Sequence, residues 1–238
     1  MLKTLKMNEK NIVSTSCDIN AKNSCCSSKT NDNDLKTHWD NAYKNSSINR
    51  LGWYEEAPIP SLQLIEKSGI SKDATILNVG AGATTLVDEL INQNFKNILV
   101  NDISPAALEK LKTRLGIKSK AVKWIVDDLT NSTELNNLEK IDLWHDRAVL
   151  HFFNEQKEQD SYFNLLRKIV KENGFVIIAT FNLNGATKCS GLPVHRYEAK
   201  MIAEKLGNKF ELIESFDYTY TMPSNDTREY IYTLFKRK

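Results

Sequence analysis

The sequence predicts an α/β domain: a seven-stranded, mostly parallel sheet with helices on both faces and an antiparallel hairpin at its C-terminal end. Three observations carry this. From residue 74 onward, apolar runs of strand length alternate with stretches of helical period, the pattern of right-handed strand–helix–strand units. A turn with two glycines, "VGAGATT", joins the first run to the stretch after it. The last two strand-like runs are separated only by "TMPSNDT", which permits a hairpin and so an antiparallel edge.

The elements follow in order. Residues 1 to about 33, with "NSCCSSKTNDND" as the extreme, show no period of 2 or 3.6 and read as a flexible arm. That leaves 34–238 as a single domain whose opening part, 34–70, forms a helical lid. In "LKTHWDNAYKN" (35–45), Leu35, Trp39 and Tyr43 are four apart and share one helix face. "SLQLIEKSG" makes a short helix closed by Gly69. "ATILNVG" is the first strand, "TTLVDELINQ" its helix and "NILVNDI" the second strand. Ser104 caps the next helix, Pro105 fills its first position and Gly116 stops it. "VKWIVDDL" and "IDLWHDR" are strands three and four, followed by the helix "QDSYFNLLRKIVKENG" with Gly174 as its terminator. "FVIIATF" is strand five, "HRYEAKMIAEKLG" the last helix, and "KFELIESFDYTY" and "REYIYTLFKR" the final pair of strands.

A chain of 238 residues with 41% hydrophobic and 26% charged residues can bury one ordinary core. A net charge of +2 leaves no footprint for nucleic acid or an anionic membrane, and neither is expected as a partner. The sequence holds no apolar run of membrane-spanning length and no apolar signal core near its start. A cytoplasmic protein, monomeric or weakly dimeric, is the expectation. Cys17, Cys25 and Cys26 match no tetrahedral zinc spacing, so no metal is expected.

The glycine turn lies where an open α/β sheet binds its ligand, and Gly80 and Gly82 leave room for a ligand against bare backbone. A phosphate-loop lysine is missing, and the dinucleotide fingerprint is incomplete because its third glycine position is Thr85. Asp102, twenty residues beyond Gly82, ends the second strand where a carboxylate takes ribose hydroxyls. Asp127-Asp128 end the third strand, placed for an adenine amine. Ribose plus adenine fits NAD or S-adenosylmethionine. The chain lacks a second mononucleotide half, and the aromatic set Trp39, Tyr43, Trp53 and Tyr54 suits a sulfonium, which favours S-adenosylmethionine.

Beyond this reading, "HWDNAY" (38–43), "GWYEEAP" (52–58), "ILNVGAGATTLVDELI", "VNDISPAALEKLKTRLG", "VKWIVDDLT", "DLWHDRAVLHFF" (142–153), "GFVIIATF" and "KCSGLPVHRY" (188–197) together resemble the class I S-adenosylmethionine-dependent methyltransferases. The resemblance covers residue 35 to the end. It is closest to a subgroup sharing the HWD-x-x-Y opening and the DLWHDRAVLHF motif. It implies a Rossmann-like fold and methyl transfer to an unidentified acceptor, a protein lysine or a small molecule. It also implies a cofactor set of Trp39, Tyr43, Asn78, Gly80, Gly82, Asp102, Ile103, Asp128, Leu129 and His145. Asn78 stands where the family has an acid, and Tyr220, together with Arg228 or Glu229, departs from the family's terminal hairpin. These departures motivate the alternative of a non-catalytic adenosyl-binding or partner-docking protein of the same fold.

Methyl transfer is an in-line displacement that needs alignment more than any one residue type. His145 and His151 are the candidate proton acceptors. Cys189, Arg147 and Arg196 are candidates for the acceptor site. An arginine beside the methyl would mark a carboxylate substrate, whereas an acidic or apolar channel would mark lysine.

Overall fold

The computed structural model describes residues 32–238, so the expected arm, apart from its last two positions, and three of the four cysteines lie outside the described residues. Helix α1 (Asp32–Asn45) opens the described part and α2 (Ile59–Ser68) follows, closed by Gly69 in the left-handed conformation. The sheet then alternates with helices: β1 (Thr75–Val79), α3 (Leu86–Asn92), β2 (Asn97–Asp102), α4 (Pro105–Leu115), β3 (Val122–Val126), β4 (Ile141–Arg147), α5 (Gln156–Ile169) and β5 (Val170–Phe181). A small hairpin, β6 (Lys188–Cys189) and β7 (Leu192–Pro193), precedes α6 (Ala199–Leu206), β8 (Phe210–Thr221) and β9 (Thr227–Arg237).

The seven-stranded sheet runs β3-β2-β1-β4-β5-β9-β8, parallel through β5 and antiparallel across β5–β9 and β9–β8. This is the expected mostly parallel Rossmann-like sheet with a C-terminal hairpin. Order reverses at β1/β4, and at such a switch point adjacent crossovers leave on opposite faces and open a crevice at the strand tips.

Period-2 alternation divides the interior into two layers. Ile76, Ile98, Val100 and Leu143 face α2, α3 and α4, where Leu64, Leu90 and Leu111 are buried. Leu77, Val79 and Trp144 face α5 and α6, where Tyr162, Leu166 and Ile202 are buried. Truncating one such side chain, Leu77 at 0% exposure for example, costs about 2–5 kcal/mol.

Ser104 caps α4 as expected, its Oγ accepting from Ala107 N at 3.1 Å. Three elements differ from expectation. Helix α5 stops at Ile169, because Val170 turns extended to pair with Ile141. Gly174 therefore ends no helix; it lies in β5, where a Cβ would meet Lys171 O at 2.9 Å and Asp142 O at 3.0 Å. Helix α6 starts at Ala199, since the backbone amides of His195 and Tyr197 are taken by His151 O and Phe181 O. The β6–β7 hairpin was not anticipated. Among the described residues no helix is long and apolar enough to cross a membrane, and no His, Cys, Asp and Glu cluster suits a metal ion.

Candidate active site

The crevice at the strand tips holds two adjacent chambers that share Trp53, Gly80 and Arg147 in their walls. The first is lined by Trp39, Tyr43, Asp102, Ile103, Asp128 and Leu129, with Phe152 and Cys189 further out. The second is lined by Asn78, Ala81, Ala83, Thr84, His145 and, from the segment before α2, Tyr54 and Glu55.

The glycine turn is built by close approach. Gly80 has φ +51°, and a Cβ there would lie 2.1 Å from Val149 Cγ2. Gly82 has φ +55°, and its Cβ would lie 2.0 Å from the Tyr43 hydroxyl oxygen. Both positions need the left-handed region and the missing side chain. Tyr43 is 4% exposed and accepts from Trp53 Nε1 at 2.8 Å, so the two aromatics bridge α1 and the segment before α2. Asp40 accepts from Ser104 Oγ at 2.6 Å and Ala106 N at 3.3 Å, tying α1 to the start of α4.

The carboxylates of the first chamber are mostly engaged by backbone. Asp102 accepts from Gly82 N at 2.7 Å and Ser104 N at 2.8 Å, which locks the glycine turn to the end of β2. Burial pushes its carboxyl up to about 6 against those amides. Asp127 accepts from Ser132 Oγ at 2.7 Å and Leu135 N at 2.8 Å, and so shapes the turn after β3. Asp128 accepts from Thr130 N and Oγ1 through one oxygen and lines the chamber.

In the second chamber His145 is 2% exposed and bridges Asn78 Oδ1 at 3.0 Å and Ser61 Oγ at 2.9 Å. Burial, with the charge of Arg147, holds its pKa down to about 3, so the ring is neutral. An amide oxygen only accepts, so His145 Nδ1 carries the proton and Nε2 accepts from Ser61. Arg147 donates from Nε to Tyr232 Oη at 3.1 Å and from Nη1 to Trp53 O at 2.9 Å, with Glu55 Oε2 2.9 Å from Nε. Its guanidinium lies over the Tyr220 and Tyr230 rings, 4.9 and 5.2 Å from their centroids.

His151 lines neither chamber. It is 0% exposed, stacks on Phe181 at 4.4 Å and has neither ring nitrogen hydrogen-bonded. Arg196 turns away, donating to Leu183 O at 2.7 Å and Gly185 O at 3.3 Å. Cys189 enters the first chamber from the β6–β7 hairpin, its thiol pushed up to about 11 by burial. Sequence reasoning assigned no role to Asp40, Glu55 and Val149, although each lies inside a quoted motif, or to Ser61; their contacts are set by packing in three dimensions. Asp146, which the resemblance sets with Trp144 and His145 beside the cofactor's methionine portion, lines neither chamber and points to the opposite face of β4. Asp146 accepts from Tyr162 Oη at 2.7 Å, Val149 N at 3.1 Å and Leu150 N at 3.2 Å, and so sets the loop after β4.

This arrangement, a glycine turn and an acid at two neighbouring strand tips beside aromatic walls, defines an adenosyl-ligand enzyme of the doubly wound class. A profile of the family described as "Methyltransferase domain" matches residues 70–236. A Danio rerio protein, "EEF1A lysine methyltransferase 2", is 32% identical over 160 residues, covering 62% of this chain and 68% of its own. A solved SAM-dependent methyltransferase from Anabaena variabilis superposes with a TM-score of 0.71 at 12% identity, covering 87% of this chain and 95% of that one. The N-methyltransferase NodS from Bradyrhizobium japonicum, solved with S-adenosyl-L-homocysteine, superposes with a TM-score of 0.63 at 15% identity, over 85% and 97% of the two chains. The chain belongs to the methyltransferase-domain family and is a class I S-adenosylmethionine-dependent methyltransferase. The residues present suit that cofactor in the first chamber, where Asp102, Asp128, Ile103 and the aromatics Trp39, Tyr43 and Trp53 share one wall system; the space expected beside the glycines is taken instead by Val149 at Gly80 and Tyr43 at Gly82, and Gly82 lines neither chamber.

Proposed function

We propose that this enzyme methylates an amine, the side chain of a protein lysine. The observation that carries this is the 32% identity to the Danio rerio lysine methyltransferase. The chemistry of the acceptor side supports it. Arg147 stands close to the shared wall, but Glu55 neutralises it at 2.9 Å, and Arg196 is spent on loop carbonyls. A carboxylate acceptor would meet no net positive charge. The outer wall of the first chamber is Trp39, Trp53, Phe152 and Cys189, an aromatic lining that suits an alkylamine.

In this reading Trp39, Tyr43, Gly80, Asp102, Ile103, Asp128 and Leu129 line the adenosyl end, Gly82 shapes the turn behind it, and Asn78, oriented by His145, lies at the amino-acid end. The cofactor supplies a methyl already activated by its sulfonium. The lysine ammonium gives its proton to solvent before it is enclosed; the chain's part is to align the neutral amine, whose lone pair would form the N–C bond as the S–CH3 bond breaks and the thioether leaves. His145 acts by orienting Asn78, since both of its nitrogens are engaged and it stays neutral. α1 and the segment through α2 act as a lid, fastened by Asp40 and Tyr43.

Incubating the protein with methyl-labelled cofactor and cell extract tests this reading. Label is expected on polypeptide, recovered as methyl-lysine after hydrolysis and absent with Asp102→Ala. Label found only in the small-molecule fraction would replace lysine with a metabolite amine.

A further inference from the structure

Asp146 lines neither chamber, yet it is 0% exposed and spends both carboxylate oxygens on the loop that leaves β4. Oδ1 accepts from Val149 N at 3.1 Å and Oδ2 from Leu150 N at 3.2 Å. Tyr162 Oη donates to Oδ2 at 2.7 Å and in turn accepts from Trp144 Nε1 at 3.1 Å, so the clamp is backed by α5 and by β4 itself. The loop it grips is not relaxed. Ala148 has φ +68°, a conformation unfavourable for a residue with a Cβ, and its amide is pinned to Ala179 O at 2.9 Å. The turn Leu150–Phe152 follows, closed by Phe152 N on Val149 O at 2.9 Å. Ala148, Val149, Phe152 and Phe153 all line the first chamber, and Val149 is the residue packed on Gly80. One carboxylate outside the site therefore sets a whole wall of it.

We infer that Asp146 is a positioning residue whose ionised carboxylate holds the 148–153 loop as a wall of the cofactor chamber, which links cofactor affinity to a proton bound out of reach of the ligand. The inference rests on the cofactor assignment above and deepens it. Two amides and a hydroxyl donate to this group, and only the charged form accepts well from all three. A protonated carboxyl turns one oxygen into a donor and leaves a loop amide poorly paired. Val79 of β1 and Ile178 of β5 flank Asp146 in the sheet, and Tyr162 and Tyr197 face it from α5 and from the segment before α6. His145 and Arg147 turn to the other side of β4, where they line the second chamber. With no cation among the groups that face it, burial pushes the carboxyl up to about 7 in spite of its three donors.

The test is calorimetric binding of two probes to the full chain across the neutral pH range: S-adenosylhomocysteine, and 5′-methylthioadenosine, which keeps the adenosine and thioether but lacks the amino-acid tail. Affinity for both should fall as pH drops through about 7, because the loop walls the chamber of the adenosyl end. Tyr162→Phe removes one donor to the charged form, so the carboxyl ionises less readily. The midpoint of the fall should move up by about one pH unit, the scale of one hydrogen bond to a charged group, with affinity at alkaline pH within about threefold of wild type. Asp102 is held by Gly82 and Ser104 instead, so its own titration stays where it is. Asp146→Asn should weaken both probes by about 10-fold at alkaline pH and abolish the step that Tyr162→Phe displaces. A midpoint that Tyr162→Phe leaves unmoved would overturn the inference, since a purely structural carboxylate gives a loss of affinity without a moved midpoint. Wild-type affinity in Asp146→Asn would overturn it too. Should Asp146→Asn lack a cooperative melting transition, the Tyr162→Phe midpoint decides alone. If wild type binds neither probe at any pH, the cofactor assignment itself fails.

Discussion

The two chambers are made of similar residue types and handle hydrogen bonds in opposite ways. In the first, the acids are already largely satisfied: Asp102 by two backbone amides and Asp127 by the turn it organises. In the second, Asn78 and Arg147 each retain a buried donor without a partner. Saturated acids act as scaffold, holding a turn in the shape a ligand needs. Unpaired donors shut away from the chamber mark a packing cost that the fold carries. A buried polar group thus reports its role through what it lacks as much as through what it touches.

The largest expected effect breaks the scaffold. Gly82→Ala forces a methyl to 2.0 Å from the Tyr43 oxygen at a positive φ, and Gly80→Ala does the same against Val149. Each should weaken S-adenosylhomocysteine by about 100-fold, the scale of overpacking plus left-handed strain, as measured by calorimetry. Near-normal affinity would mean the turn has slack and the scaffold description is wrong.

Asp102→Asn comes next, since an amide cannot accept from both Gly82 N and Ser104 N as the carboxylate does. A loss of about 10-fold is expected for S-adenosylhomocysteine and methylthioadenosine alike. The wild-type pH profile sharpens the contrast. The Asp102 carboxyl titrates at about 6, so affinity for both probes should rise as pH passes upward through that value. The same raised pKa favours the protonated folded state, so the contribution of Asp102 to stability falls between pH 3.8 and about 6.

The smallest effect on catalysis is expected at His151. Burial holds its pKa at about 3 against an ordinary 6.5, so the unfolded chain binds the proton first. Its stabilising contribution is complete above 6.5 and is lost as pH falls toward about 3. His151→Phe should leave methyl transfer within about twofold and reduce the acid-induced fall in melting temperature by a few degrees. A fall in activity of about 100-fold would make His151 part of the reaction and dissolve the distinction drawn between lining and non-lining histidines.

Much of this was legible in the sequence, for physical reasons. Alternating apolar runs announced the sheet, and the spacing of Gly80, Gly82, Asp102 and Asp128 placed four groups at three neighbouring strand tips. The end of α5 was not legible: Gly174 reads as a helix stop, yet strand pairing of Val170 with Ile141 outcompetes the last turn. Glu55 could not be read either. "GWYEEAP" is an irregular segment, and only folding sets one of its two glutamates on Arg147, far along the chain. Asn78 was visible as a departure, but its partner, His145 at 3.0 Å on the neighbouring strand, is set only by the register of β1 on β4.

Strand β4 carries one further lesson. His145 and Arg147 line the second chamber, whereas Asp146 between them faces α5 and anchors the following loop. A single-residue insertion or deletion just upstream would exchange these duties, sending a loop anchor into the second chamber and a cation into hydrocarbon. Natural variation in this enzyme should therefore accumulate in the loops flanking β4 and leave the spacing from Leu143 to Arg147 untouched.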